Sequence, residues 1–149
     1  MAIVPDLTTV VQAIPDFHGR VQGAAALSAL MSAGQAPQTT PAAFVLPLGL
    51  RGGAADAVTG LFRQQLAWSS GVVICVRVAG DVTGVKANEV LVPLIEAVIL
   101  AIAGTDAIGP HDEAIGVWRV SRGELLSLSA GLLVFQLDFT IDDQLRILR

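Results

Sequence analysis

A chain of 149 residues has the length of one domain, and its net charge of −4 excludes the basic footprint of a general nucleic-acid binder. Apolar residues make up 53% and charged residues only 15%, where an ordinary soluble domain carries about 25% charged. The first fifty positions hold only Asp6, Asp16 and Arg20, too little charge for the exterior of a monomer, so surplus apolar surface is expected to be covered by other subunits.

Membrane burial is not the expected alternative. The longest apolar run, Val90 to Ala103, is broken by Pro93 and Glu96 and falls short of the roughly twenty residues a spanning helix needs. Met1 to Asp6 shows no secretory signal, and neither end shows a lipidation motif, so synthesis in a cytoplasm is expected.

Pro5 and Asp6 open a first short helix, with Leu7, Val10, Val11 and Ile14 on one face and Pro15 ending it. A second helix is predicted from Gly23 to Ser32, with Leu27, Leu30 and Met31 on one side and Gly34 closing it. Gln35 to Pro41 reads as a loop. The period then changes to two: Phe44, Leu46, Leu48 and Leu50 alternate with smaller residues, and Pro47 puts this strand at a sheet edge. Arg51 to Gly60 reads as a Gly- and Ala-rich connection. Strands follow at Leu61–Trp68 and Gly71–Ala79, joined by a turn at Ser69-Ser70-Gly71, the second apolar on both faces and therefore central.

The principal helix is predicted between Lys86 and Ala103, with Leu91, Leu94, Ile95, Val98, Ile99 and Ile102 as a broad stripe. Pro93 delays its regular part to about Val90, and Gly104 ends it. Strands at Ala114–Val120 and Glu124–Leu128 flank a hairpin turn at Ser121-Arg122-Gly123. The clearest alternation closes the chain: Leu133, Phe135, Leu137, Phe139 and Ile141 against Gln136, Asp138 and Thr140. Grouped strands and helices imply one α+β domain over residues 1–149, a mainly antiparallel sheet with helices packed on one side.

The residues that could carry chemistry stand in patterns with plainer explanations. Pro110-His111-Asp112-Glu113 sets three potential ligands side by side, whereas metal sites draw converging ligands from spaced positions. His18 and His111 keep a small hydrolase or metal enzyme open as an alternative, but no serine stands in a Gly-x-Ser-x-Gly turn. The glycines from Gly49 to Gly60 lack the phosphate loop's Gly-Lys-Ser/Thr ending. Asp142-Asp143, beside Arg146 and Arg149, reads as a solvated tail, and Cys75 as a small buried hydrophobe. A second alternative is an oligomeric module holding a small molecule between sheet and helix. No catalytic, cofactor or metal residue is assigned.

Several segments together resemble the tail-terminator, or tail-completion, proteins of long-tailed phages, over about residues 5–142. They are Arg20-Val21-Gln22-Gly23-Ala24-Ala25, Thr40-Pro41-Ala42-Ala43-Phe44-Val45-Leu46-Pro47, the strands from Gln64 to Val78, the helix end Ala101-Ile102-Ala103-Gly104, and Gly131 to Phe139. The chain departs from the family after that helix, where Gly104-Thr105-Asp106 and later Gly109-Pro110 replace a Gly-Trp-Pro-like step. The resemblance implies a virion structural protein of the tail or neck, forming a hexameric ring in the host cytoplasm. That ring caps the tail tube, ends polymerisation and meets the head connector or stopper, with DNA passing through and no specific nucleic-acid binding. A related neck role shares the same kind of fold. Isolated charges at Arg51, Asp56, Arg63, Arg119 and Arg122 are the expected interface residues, without cofactor.

Overall fold

The computed structural model describes residues 6–81, 83–108, 114–129 and 131–149. Asp6 opens the first helix: its Oδ1 accepts from the backbone N–H (2.9 Å) and the hydroxyl (2.6 Å) of Thr8. Helix α1 (Thr8–Gln12) is followed by a 3-10 turn at Pro15–Phe17, which buries Phe17 completely. Pro5, expected at the first helical position, lies outside the described residues. A short strand β1 (Val21–Gly23) precedes α2 (Ala24–Ser32).

Two long strands then form one hairpin, β2 (Ala42–Val58) and β3 (Leu61–Arg77), each of 17 residues. Two expectations fail here. Arg51 to Gly60 is not a connection, because residues up to Val58 continue β2 along Leu61–Ala67. Nor do Ser69-Ser70-Gly71 turn the chain; they lie mid-strand, opposite Pro47, Gly49 and Leu46 on one side and Asp138, Phe139 and Thr140 on the other. Small residues are needed there for room. Ser70 is 2% exposed between Pro47 and Phe139, and a side chain at Gly71 would meet Leu48 Cδ1 at 3.2 Å.

Helix α3 (Val85–Ile102) begins earlier than Pro93 suggested. Pro93 faces solvent, away from the buried stripe of Ala87, Leu91, Leu94, Val98 and Ile102, so the carbonyl left without a partner is not buried. After α3 a small ladder joins β4 (Asp106–Ile108) to β5 (Ala114–Val117), and β6 (Arg119–Ser129) and β7 (Leu132–Leu148) complete the main sheet. The hairpin expected at Ser121-Arg122-Gly123 is absent: β6 runs straight through it with a bulge between Val120 and Arg122. β7 extends to Leu148, so Asp142-Asp143 is strand and not tail. Asp143 is 7% exposed and accepts a hydrogen bond of 3.4 Å from Trp68 Nε1.

The main sheet has the order β1-β2-β3-β7-β6, with only the β1–β2 pair parallel. This is the expected α+β class with a mainly antiparallel sheet, and β3 holds the central position expected of it. α1 and α3 cover one face, packing Leu7, Val11, Leu91, Leu94 and Val98 on Val72, Ile74, Val76, Leu137 and Phe139. Helix α2 is the exception to the one-sided arrangement: Leu27 and Leu30 lie over Phe44, Val73 and Cys75 on the other face. Among the described residues it covers that face over β1, β2 and the Val73–Cys75 end of β3, and the rest of the face is open.

Candidate assembly surface

The open face explains where the charges go. Residues directly opposite across neighbouring strands point to the same side of a sheet. Arg51 stands opposite Ala67 and thereby Asp142; Asp56 opposite Arg63 and Arg146; Arg119 opposite Thr140; Arg122 opposite Asp138; Glu124 opposite Gln136. All five expected interface residues therefore share the face that α2 leaves open. They do not form one cluster. Arg51, Asp56 and Arg63 lie on the β2–β3 arm, while Arg119 and Arg122 lie on β6 at the opposite edge.

Along this face the polar side chains satisfy one another. Arg63 Nε and Nη2 donate to the two carboxylate oxygens of Asp56 at 3.1 and 3.3 Å, and Arg119 Nη1 donates to Asp142 at 2.9 Å. Arg122 pairs with Glu124. The hydroxyls of Ser69, Thr140 and Ser121 form a chain across three strands, and Gln136 Nε2 donates to Asp138 at 2.7 Å. Each ion pair is more than a third exposed on both sides, so each contributes little to stability. Among the described residues Arg51 has no carboxylate within ion-pair distance. Glu124 and Asp142 belong to this surface but escaped the sequence reading. Their signal is the two-residue period they share with Arg122 and Thr140, once β6 and β7 are read as continuous strands.

Both edges of the sheet are long and bare. Among the described residues β6 has β7 on one side only, and β2 has an outer neighbour only where β1 pairs with Ala43–Val45, which leaves thirteen residues, Leu46–Val58, unpaired outside. Apolar side chains line both: Val120, Leu125, Leu126 and Leu128 on β6, and Leu48, Leu50 and Val58 on β2, are 40–58% exposed. Edge strands in monomers are usually short or guarded by lysine or proline. Here β6 carries neither, and β2 carries only Pro47.

Other candidates offer no chemistry. An apolar cleft of about 420 Å³ lies between α2 and β6, lined by Leu27, Leu30, Met31, Leu46, Leu126 and Val134, with no charged group in its wall. Cys75 sits at its base, where burial pushes the thiol from 9.0 up to about 11. His18 is exposed, at a left-handed backbone position (φ 50°) that ends the 3-10 turn; His111, Asp112 and Glu113 lie outside the described residues. Among the described residues no three His, Cys, Asp or Glu side chains gather as a metal site, and no helix is long and apolar enough to cross a membrane.

Comparison with known proteins gives matches of two kinds, to a family model and to solved structures. The sequence model of the family described as phage tail terminator protein matches residues 4–149. Among solved structures, a chain from the virion of a native gene transfer agent (GTA) particle shares the fold, with a TM-score of 0.57 and 13% identity over 96% of this chain and 95% of that one. No curated protein sequence matches the chain.

Proposed function

The chain belongs to the phage tail terminator family and is a structural protein of the virion tail, and from that premise we propose that it acts as a hexameric ring that caps the tail tube. The ring ends polymerisation of the tube protein beneath it and offers its far side to the head connector or stopper, with DNA passing through its centre. Assembly takes place in the host cytoplasm. The role needs surfaces, not reacting groups, and asks for no cofactor.

The observation that carries this reading is the pair of long, unprotected edges at opposite sides of one sheet. A subunit of a closed ring uses two different patches, one for each neighbour, and a chain with this little charge has surface that must be covered. Particles assembled without the protein test it. The expected outcome is tails of uncontrolled length or tails that fail to join heads, seen by electron microscopy; normal particles would refute the assignment.

A further inference from the structure

We propose that neighbouring copies join edge to edge, β6 of one copy running antiparallel along the outer stretch of β2 of the next, with Arg119 against Asp56 and Glu124 against Arg51. The inference rests on the ring reading and says which backbone makes it.

Strand direction permits it. β2, β3, β7 and β6 are each antiparallel to the next, so β6 and β2 run in opposite senses within one copy. A second copy placed beside the first in the same orientation therefore presents β2 antiparallel to β6. The same step repeats from copy to copy, as a ring requires. The lengths are comparable as well, eleven residues of β6 against thirteen of β2.

Charge sets the register. On β6 the positive Arg119 and the negative Glu124 are separated by four positions of the partner strand, Thr140 to Gln136. On β2 the positive Arg51 and the negative Asp56 are also separated by four partner positions, Ala67 to Arg63. Each edge has one bulge between its two charges, so the matching holds in space, where both spans are about 14 Å. Laid antiparallel, positive meets negative at both ends. All four residues lie on the open face, which becomes continuous from copy to copy. On the α3 side of the same register Leu125 meets Leu50 and Val120 meets Ala55.

The competing use of the edge is pairing of β6 with β6 across a two-fold axis. Full overlap would set Glu124 against Glu124, and like charges directly opposite are unfavourable. The bulges also favour closure, since they add twist and curvature of the kind that closed sheets use.

The test uses particles assembled with a chain carrying both Arg51→Cys and Glu124→Cys, treated with a short thiol cross-linker. Cys75 is buried and is the only native thiol. The expected result is a ladder of covalent oligomers on denaturing gels from the double variant, and none from either single variant. Dimers from Glu124→Cys alone would overturn the proposal in favour of β6–β6 pairing. A double variant that stays uncross-linked in particles whose cap is a ring by imaging would overturn edge pairing and leave the ring standing. A cap that images as a single copy would overturn the ring and the pairing with it. In a parallel set, Arg51→Glu or Glu124→Arg alone lowers incorporation about fivefold, and the two reversals together restore it. Failure of the double reversal to restore it, with the variant folded, counts against the register.

Discussion

Asp81 illustrates how much single polar residues must accomplish in a chain this poor in them. It is 9% exposed, and its Oδ2 accepts from the backbone N–H of Ala87 at 2.8 Å, in the first turn of α3. The helix begins at Gly84–Val85 without a capping side chain of its own. Asp81 therefore reaches forward from the preceding loop, satisfies one orphan donor and places negative charge at the positive end of the helix. Asp81→Ala is expected to cost about 1–2 kcal/mol in chemical denaturation, and Asp81→Asn less, since the amide oxygen can still accept. Gly131 frames the same loop. It sits at φ +76°, and a Cβ there would lie 2.7 Å from the carbonyl oxygen of Val78 and 2.9 Å from that of Asp81. Gly131→Ala should destabilise by more than the roughly 1 kcal/mol of backbone strain alone, because both contacts are with backbone.

Cys75 makes a prediction about pH. Its folded value, about 11, lies above the ordinary 9.0 because burial disfavours the thiolate. A raised pKa in the folded state means full stability below about pH 9, then loss as the unfolded chain ionises first, until the folded thiol also titrates near 11. The chain has no tyrosine and a single lysine, Lys86, so few other groups titrate in that window. Denaturation midpoints should fall between pH 9 and 11 in the native chain and stay flatter in Cys75→Ala. Equal slopes in the two chains would contradict this assignment.

At the scale of elements, β3 holds the molecule together, with β7 along its whole length on one side and β2 from Leu61 to Cys75 on the other. Ser70 is 2% exposed and stands between Pro47 and Phe139, so Ser70→Val enlarges a buried side chain there, and a destabilisation of about 1–3 kcal/mol is expected by thermal or chemical denaturation. A turn at that position would tolerate the change. The elements legible in the sequence were those whose apolar period repeats: the α3 stripe, the alternation from Leu133 to Ile141, and α2. Composition misled at Arg51–Gly60 and at Ser69–Gly71. Glycine, alanine and serine read locally as connection, but Arg51–Val58 is strand because β3 templates it from one side, and Ser69–Gly71 is strand because β2 and β7 template it from both. The three-residue strands β1 and β4 left no periodic signal at all, since three residues cannot show a period. The expected interface charges were legible as isolated charges. Their placement on a single face was not, because it depends on register across four strands.

At the scale of the whole molecule, the few charges and the exposed apolar edges make different contributions to association. Charges that are more than a third exposed add little affinity and are screened by salt, but they discriminate between registers. Affinity in an edge-paired ring comes from backbone hydrogen bonds along about eleven residues and from apolar contacts such as Leu125 with Leu50. Those terms are insensitive to ionic strength. Cross-linking between β6 and β2 should therefore persist at about 1 M salt, where the Debye length is only about 3 Å. Leu125→Asp should abolish it even at low salt, because the new carboxylate would be buried against Leu50 without a partner. The opposite pattern, loss at high salt with Leu125→Asp tolerated, would mean that the copies are held by their charges. The apolar edges would then be covered by some other virion protein.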